Sequence, residues 1–258
     1  PPADDRHPFH EAALRNPETA APTGEAELRQ IRAQYYGMIG DVDEQLGRVR
    51  AQLEATGQWD DTLVIVTADH GEQLGDHGLV QKVGFWEESY RIIGIIRDPA
   101  RPAGHGTRVD AFTENVDILP TICEAIDAPI PLQCDGRPLT PFLDGGAPPA
   151  WREAAHWEFD WRALLIPHAD FAWPVDRRLE QQALAVRRSA DTGYVHFGSG
   201  TSLCFDLAAD PTWRTPVTDP ARILAAAEAT LTWRTEHLER TLTGMLLEAG
   251  GIGPVPTS

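Results

Sequence analysis

The sequence predicts an α/β fold in two parts. The larger part is built on a mixed or parallel sheet sandwiched by helices, and the smaller is a C-terminal antiparallel sheet with a closing helix. Three observations predict it. Apolar residues recur at helical spacing from Leu28 to Leu53; two short apolar runs, "TLVIV" ending at Val66 and "RIIGIIRDP" from Arg91 to Pro99, read as buried strands; and beyond Pro149 the chain breaks into short β-like runs separated by Pro, Gly and Asp. Residues 1–24 read as loop or linker, 25–149 as the larger α/β unit, and 150–258 as the smaller subdomain.

In chain order, residues 1–24 are rich in Pro, Ala and charge and show no periodicity. Leu28, Ile31, Tyr35, Met38, Ile39, Val42, Leu46, Val49 and Leu53 then define an amphipathic helix, whose length is near 45 Å at ~1.5 Å per residue. Gly37, Gly40 and Gly47 each cost about 1 kcal/mol against Ala in a helix interior, so they mark close packing on a neighbour or local bending. "TGQWDD" turns the chain into Leu63–Val66, an apolar strand of the kind parallel sheets bury on both faces. "TENVDILPTICEAIDAP" is a helix starting near Asn115, with Pro120 in or near its first turn, where a missing N–H costs little. "AAHWEF", "ALAVRR", "YVHF" and "SLCFDL" are the strands of the smaller sheet. The closing helix runs from about Pro220 to Leu242 and leads to a Gly/Pro tail expected to be loose.

Composition bounds the function. At 258 residues and 42% hydrophobic content the chain can bury a real core. Thirty-nine acidic residues against 22 basic give a formal charge of -17, a field that repels nucleic acid and anionic membrane surfaces. Neither is an expected partner. Cys123, Cys134 and Cys204 are odd in number and widely spaced, which supports neither a disulfide framework nor a thiolate zinc site and fits a reducing, cytoplasmic compartment. No run approaches the ~18 to 20 apolar residues that span a bilayer, and no signal-peptide pattern opens the chain. The first residue is Pro rather than Met, which suggests a fragment or a processed product.

The chemistry concentrates in "TADHGEQLGDHGLVQK", Thr67 to Lys82, directly after the first strand. In open α/β sheets ligands collect at the carboxyl ends of strands, where Asp69 and His70 stand. A carboxylate beside an imidazole offers oxygen and nitrogen to a divalent cation, a mixed set that favours manganese, zinc or iron over calcium. Alone the dipeptide is a weak signal, because such residues also crowd strand ends for solvation and capping. Lys82 strengthens it: an ammonium near a metal-held group suits an anionic phosphoryl, phosphonyl or sulfuryl centre, although a solvated surface lysine is its commoner role. His77 reads either as a hydrogen-bond donor orienting a ligand or as a plain loop histidine, and is carried with Lys82 as a candidate catalytic side chain. Glu72 and Asp76 satisfy loop amides or sit in water. Trp86 and Tyr90 line a substrate entrance or simply pack. Thr67 could serve as a nucleophile in a phosphatase or phosphodiesterase, but Thr in a strand is more often a β-propensity choice.

Taken as a set, "GQWDDTLVIVTADHGEQLGDHGLVQK" followed by "ESYRI" resembles the C-terminal half of the sulfatase group in the alkaline phosphatase superfamily, above all its phosphonate monoester hydrolases. The resemblance extends upstream through "AELRQIRAQYYGMIGDVDEQLGRV" and downstream through "FTENVDILPTICEAI", "CDGRPLTPFL", "YVHF", "CFDLAADP" and "TWRTEHLERTLT", nearly all of residues 25–243. It implies that Asp69 and His70 bind one divalent metal ion, manganese first, with zinc, iron or calcium as the other choices, and that Lys82 contacts the transferred group and so binds substrate. Calcium-dependent arylsulfatases usually carry Asn where this chain has His70, and the Asp-His version is similar to that of the phosphonate hydrolases.

The departures carry as much information. The family's nucleophile is a Cys in Cys-x-Pro-x-Arg, converted to formylglycine, and none of Cys123, Cys134 or Cys204 begins such a motif. The family's first aspartate ligand and its mid-fold histidine segment are also unmatched, and "RIIGII" after Tyr90 differs from the usual Arg-Ile-Pro-Leu pattern. The expectation is therefore a fragment of a metal-dependent hydrolase of small anionic phosphonate, phosphate or sulfate esters, inactive alone, with formylglycine in a missing N-terminal half and homo-oligomeric in its full-length form. The competing expectation is a catalytically inactive interaction module that uses the helix from Glu25 and the helix bearing Trp233 as packing surfaces.

Overall fold

The computed structural model describes residues 7–131, 133–160, 183–237, 245–248 and 251–254, the last two segments by their backbone. Its first element corrects the reading of residues 1–24 as loop. Helix α1 (Pro8–Arg15) starts with Pro at the first turn, where its fixed φ suits a helix, and is capped by His7, whose Nδ1 accepts from the Phe9 amide at 3.2 Å. It buries Phe9, Ala12 and Ala13, an i, i+3, i+4 stripe. The chain that follows is stitched to later residues by bonds from the Ala21 amide to the Gly78 carbonyl and from the Val80 amide to the Thr19 carbonyl.

Helix α2 (Glu25–Ala55) forms where the periodicity places it, yet it has no buried residue. Tyr36, Met38, Ile39, Val42, Leu46 and Val49 are exposed among the described residues, and a Cβ at Gly37, Gly40 or Gly47 would meet nothing within 4 Å. Those glycines therefore do not mark close packing on another described element.

Strand β1 (Val64–Thr67) pairs antiparallel with β4 (Gly94–Arg97) in the register Val64↔Arg97 to Thr67↔Gly94. This departs from the parallel, fully buried strand expected, for β1 is half-buried and Ile93 and Ile95 are exposed. An apolar run marks a strand but not its direction. Here residues 68–93 form no long crossover helix; they fold into a small hairpin, β2 (Gln73–Leu74) with β3 (Val80–Gln81), and the four-residue helix α3 (Glu87–Tyr90), so the chain returns antiparallel. Helix α4 (Ile118–Ala125) is preceded by a 3₁₀ turn with a capping box between Glu114 and Asp117, and is followed by α5 (Thr140–Leu143).

The smaller sheet is as predicted: β5 (Ala154–Asp160), β6 (Ala183–Ser189), β7 (Thr192–Phe197) and β8 (Ser202–Asp206), antiparallel in sequence order. Helix α6 (Pro220–Glu236) closes it, with Asp219 accepting from the Ala221 amide as N-cap; the last residues of the predicted helix, 238–242, lie outside the described residues. The tail expected to be loose holds a hairpin, β9 (Met245–Glu248) with β10 (Gly251–Pro254).

One core joins the two parts. Phe9, Ala12 and Ala13 pack with Leu79, Val83, Phe85 and Trp86 and with Leu184, Val186, Val195, Phe197, Phe205 and Trp213. The hairpin after β1 is thus held between α1 and the C-terminal sheet. No helix of the described residues is long and apolar enough to cross a membrane.

Candidate active site

Residues Ala68 to Gly71 leave the end of β1 and are tied at both sides. On one side Asn115 Nδ2 donates to the Ala68 carbonyl at 2.8 Å and Thr67 Oγ1 donates to Asn115 Oδ1 at 3.1 Å. The Thr67 hydroxyl is therefore engaged in a polar tie beside the site. On the other side the Gly71 amide donates to the Ser89 carbonyl at 2.8 Å.

Between these ties stand Asp69 and His70. Asp69 Oδ1 accepts from the His70 amide at 2.9 Å, and Asp69 Oδ2 lies 3.5 Å from His70 Nε2. The Asp69 side chain is 85% exposed and that of His70 32%, so the oxygen and the nitrogen face open space together. Two donors 3.5 Å apart can both reach a cation when each ligand distance is about 2.0–2.2 Å, so the pair fits a divalent ion. Among the described residues no group of three or more His, Cys, Asp or Glu converges to hold a metal. The pair alone is thus short of the three or four protein donors of a tight site.

Lys82 follows the last residue of β3; it is exposed, and its ammonium meets no partner among the described residues. The preceding Gln81 is held in the left-handed region at φ 66°, and its amide donates to Glu72 Oε1 at 2.6 Å. Asp76 Oδ2 accepts from the Leu74 amide at 3.4 Å. Both carboxylates therefore serve loop amides.

His77 does not join the Asp69–His70 pair. Its side chain is 3% exposed, its ring stacks on Trp86 at 4.3 Å, and Nε2 lies 3.6 Å from Glu88 Oε2. Its backbone is left-handed at φ 55°, with the carbonyl accepting from His10 Nε2 at 2.7 Å. Burial pulls the Glu88 carboxyl up, but the His77 hydrogen bond, a backbone bond and the charges of His77 and Arg214 outweigh it and hold it below the usual glutamate range. Trp86 is a core residue, and Tyr90 stacks on Trp157 at 5.0 Å while its hydroxyl donates to the Gly84 carbonyl, so both pack.

Sequence reasoning passed over three residues here. Gln73 is fully buried, donating to the Val83 carbonyl at 2.8 Å and to Ser89 Oγ at 3.2 Å. Ser89 is buried beneath Gly71. Gly71 lies so close to Glu88 that a Cβ would stand 2.1 Å from its carbonyl oxygen. The one available signal was the glycine directly after a polar pair at a strand end, where a backbone must come close.

Comparison with known proteins bears on the family and the fold. The Sulfatase family model matches residues 4–128. The chain is 42% identical over 229 residues to the multifunctional alkaline phosphatase superfamily protein PehA of Trinickia caryophylli, covering 87% of this chain and 44% of that protein. The phosphonate monoester hydrolase of Agrobacterium radiobacter superimposes with a TM-score of 0.77 at 42% identity, covering 88% of this chain and 46% of that one. The phosphonate monoester hydrolase SpPMH from Silicibacter pomeroyi gives a TM-score of 0.77 at 31% identity, covering 96% and 51%. Residues 4–128 therefore carry a sulfatase-family domain, the chain is similar over most of its length to members of the alkaline phosphatase superfamily, and it spans about half the length of the relatives it matches.

Proposed function

We propose that these residues are part of a metal-dependent hydrolase of phosphonate, phosphate or sulfate esters. The observation that carries the reading is the Asp69–His70 pair, its oxygen and nitrogen 3.5 Å apart and open at the end of β1. A divalent cation held there, manganese first, supplies Lewis-acid stabilisation of charge on an ester oxygen. His70 Nδ1 donates its hydrogen to the Gly71 carbonyl at 2.8 Å, which leaves Nε2 as the ligand atom. Lys82, exposed and unpaired among the described residues, offers its ammonium to the anionic group being transferred. His77 acts from a distance, by fixing Glu88. The nucleophile in this reading is a formylglycine on a segment outside these residues, since no cysteine here begins Cys-x-Pro-x-Arg. The enzyme is cytoplasmic and homo-oligomeric, acts on a small anionic ester, and uses neither nucleic acid nor a membrane as partner.

The test is Asp69→Ala and His70→Ala in the natural polypeptide, with metal content and turnover of an aryl phosphonate or sulfate read together. Loss of both supports the assignment; unchanged metal stoichiometry overturns it.

The apolar row on α2 that the described residues leave uncovered, Met38, Val42, Leu46 and Val49 among it, favours a second reading, a non-catalytic docking module. Intact mass of the natural polypeptide with peptide mapping separates the two: a Cys-x-Pro-x-Arg segment on it supports the hydrolase, and its absence supports the module.

A further inference from the structure

The Asp69–His70 pair leans on α3. The Gly71 peptide lies at a crossing of two hydrogen bonds, for its N–H donates to the Ser89 carbonyl and its carbonyl accepts from His70 Nδ1, each at 2.8 Å. The packing is tight, because the Glu88 carbonyl that a Cβ on Gly71 would strike is backbone and cannot swing aside. A carbonyl oxygen only accepts, so the His70 ring proton sits on Nδ1 and the Nε2 lone pair faces Asp69 Oδ2. In the other tautomer Nε2 would carry hydrogen and could not ligate a cation.

The turn that holds Gly71 is itself anchored on several sides. Gln73 bonds Ser89 Oγ from the hairpin. Arg188 Nε of β6 donates to Glu87 Oε1 at 2.7 Å, and Trp157 of β5 stacks on Tyr90. The His77 ring adds its contact to Glu88. A chain of contacts thus runs from the C-terminal sheet through α3 to the His70 ring.

We propose that Glu87–Tyr90 is the positioning element of the Asp69–His70 pair, acting through the Gly71 peptide to fix the tautomer and direction of His70, with Arg188 as its clamp from the C-terminal sheet. The proposal rests on the reading of Asp69 and His70 as cation ligands. Gly71, Ser89 and Arg188 touch no cation and are positioning residues. The four-stranded sheet then has a part in building the site, as well as in the core.

The experiment, carried out in the natural polypeptide, compares wild type with Gly71→Ala, Arg188→Met and a control, Gly104→Ala, whose Cβ would lie 2.2 Å from the Leu143 carbonyl oxygen, a similar clash elsewhere in the fold. Three quantities are measured: Mn²⁺ binding, the His70 ring nitrogen shifts by NMR without metal, and thermal unfolding. The expected result is Mn²⁺ binding weakened by about tenfold or more in Gly71→Ala, weakened in the same direction in Arg188→Met, and a mixed His70 tautomer in both. Gly104→Ala should lower the unfolding temperature with neither effect. Wild-type affinity together with an unchanged Nδ1–H tautomer in Gly71→Ala overturns the proposal. If Gly71→Ala fails to fold, Arg188→Met decides on the same two readouts. If the wild type binds no Mn²⁺, the ligand reading fails, and the tautomer alone decides the positioning claim.

Discussion

Arg152 forks onto the carboxylate of Asp117, with Nη2 2.6 Å from Oδ1 and Nη1 bonded to Oδ2, and Asp117 is wholly buried. The same carboxylate accepts from the amides of Glu114 and Arg137 at 2.8 and 2.9 Å. One acidic side chain therefore closes the start of α4, receives the loop before α5, and fastens both to the residue just ahead of β5. Asn115, two residues earlier, is the one that holds the Ala68 carbonyl. The fork thus steadies one flank of the candidate site, while α3 steadies the other.

Removing the guanidinium should be costly. Arg152→Met leaves a buried carboxylate with two amide donors and no counter-charge, a situation that costs about 3–5 kcal/mol. Urea unfolding of the variant against wild type measures it. A loss below about 1 kcal/mol, the scale of a surface ion pair, would show that the fork adds nothing beyond its surface-pair value.

Acid should act on α1 through His7. Burial lowers the His7 pKa from 6.5 to about 4, and its Nδ1 can accept from the Phe9 amide only when unprotonated. Because the folded value lies below the unfolded one, the unfolded chain takes up the proton first as pH falls. Stability from this group is therefore full above pH 6.5, falls between 6.5 and about 4, and is level below that. Asn at position 7 keeps a capping oxygen and does not titrate. Thermal melts from pH 7 to 4 should show a shallower decline for His7→Asn than for wild type; equal slopes would remove His7 from the account.

Two strand glycines should respond in opposite directions. At Gly193 of β7 a Cβ would lie 2.5 Å from the Trp213 ring, itself core, so Gly193→Ala forces the indole to shift and should cost about 1–3 kcal/mol. At Gly94 of β4 a Cβ meets nothing within 4 Å, and Gly94→Ala should be neutral or stabilising by about 0.4–1 kcal/mol through the unfolded state. Denaturant midpoints of the two variants decide it. A stabilised Gly193→Ala would mean that the core around Trp213 is looser than its burial indicates.

How legible all this was in the sequence depended on the range of the signal. Helix α2, the strands of the smaller sheet and α6 were readable because periodicity and turn residues are local properties. Helix α1 escaped because its cap is a histidine ring nitrogen and its stripe is short and alanine-rich, although Phe9, Ala12 and Ala13 carried the right spacing. The direction of β1 was not legible, since an apolar run looks alike in either orientation. Asp69 and His70 stood out by residue type and place. The surroundings of His77 did not, because Trp86 and Glu88 reach it only after the hairpin folds back. The same holds for Ser89 beneath Gly71.

Lys82 offers the sharpest test of the chemistry. Its exposure and lack of a partner among the described residues suit both an anion-binding ammonium and a solvated surface lysine, and kinetics separates the two roles. A solvated lysine replaced by Ala changes little. An ammonium that meets charge developing on the transferred group should cost about 10²–10³-fold in kcat, the scale seen when one preorganised donor to such charge is removed. Metal content should stay at the wild-type level, because a cation gains nothing from a neighbouring cation. Lys82→Arg keeps the charge but changes its shape and reach, and should recover only part of the rate. The measurement is kcat, KM and bound metal for the three forms in the natural polypeptide carrying the nucleophile. Wild-type kcat in Lys82→Ala would return this residue to the solvent; metal lost along with kcat would mean that the substitution disturbs the hairpin rather than the transferred group.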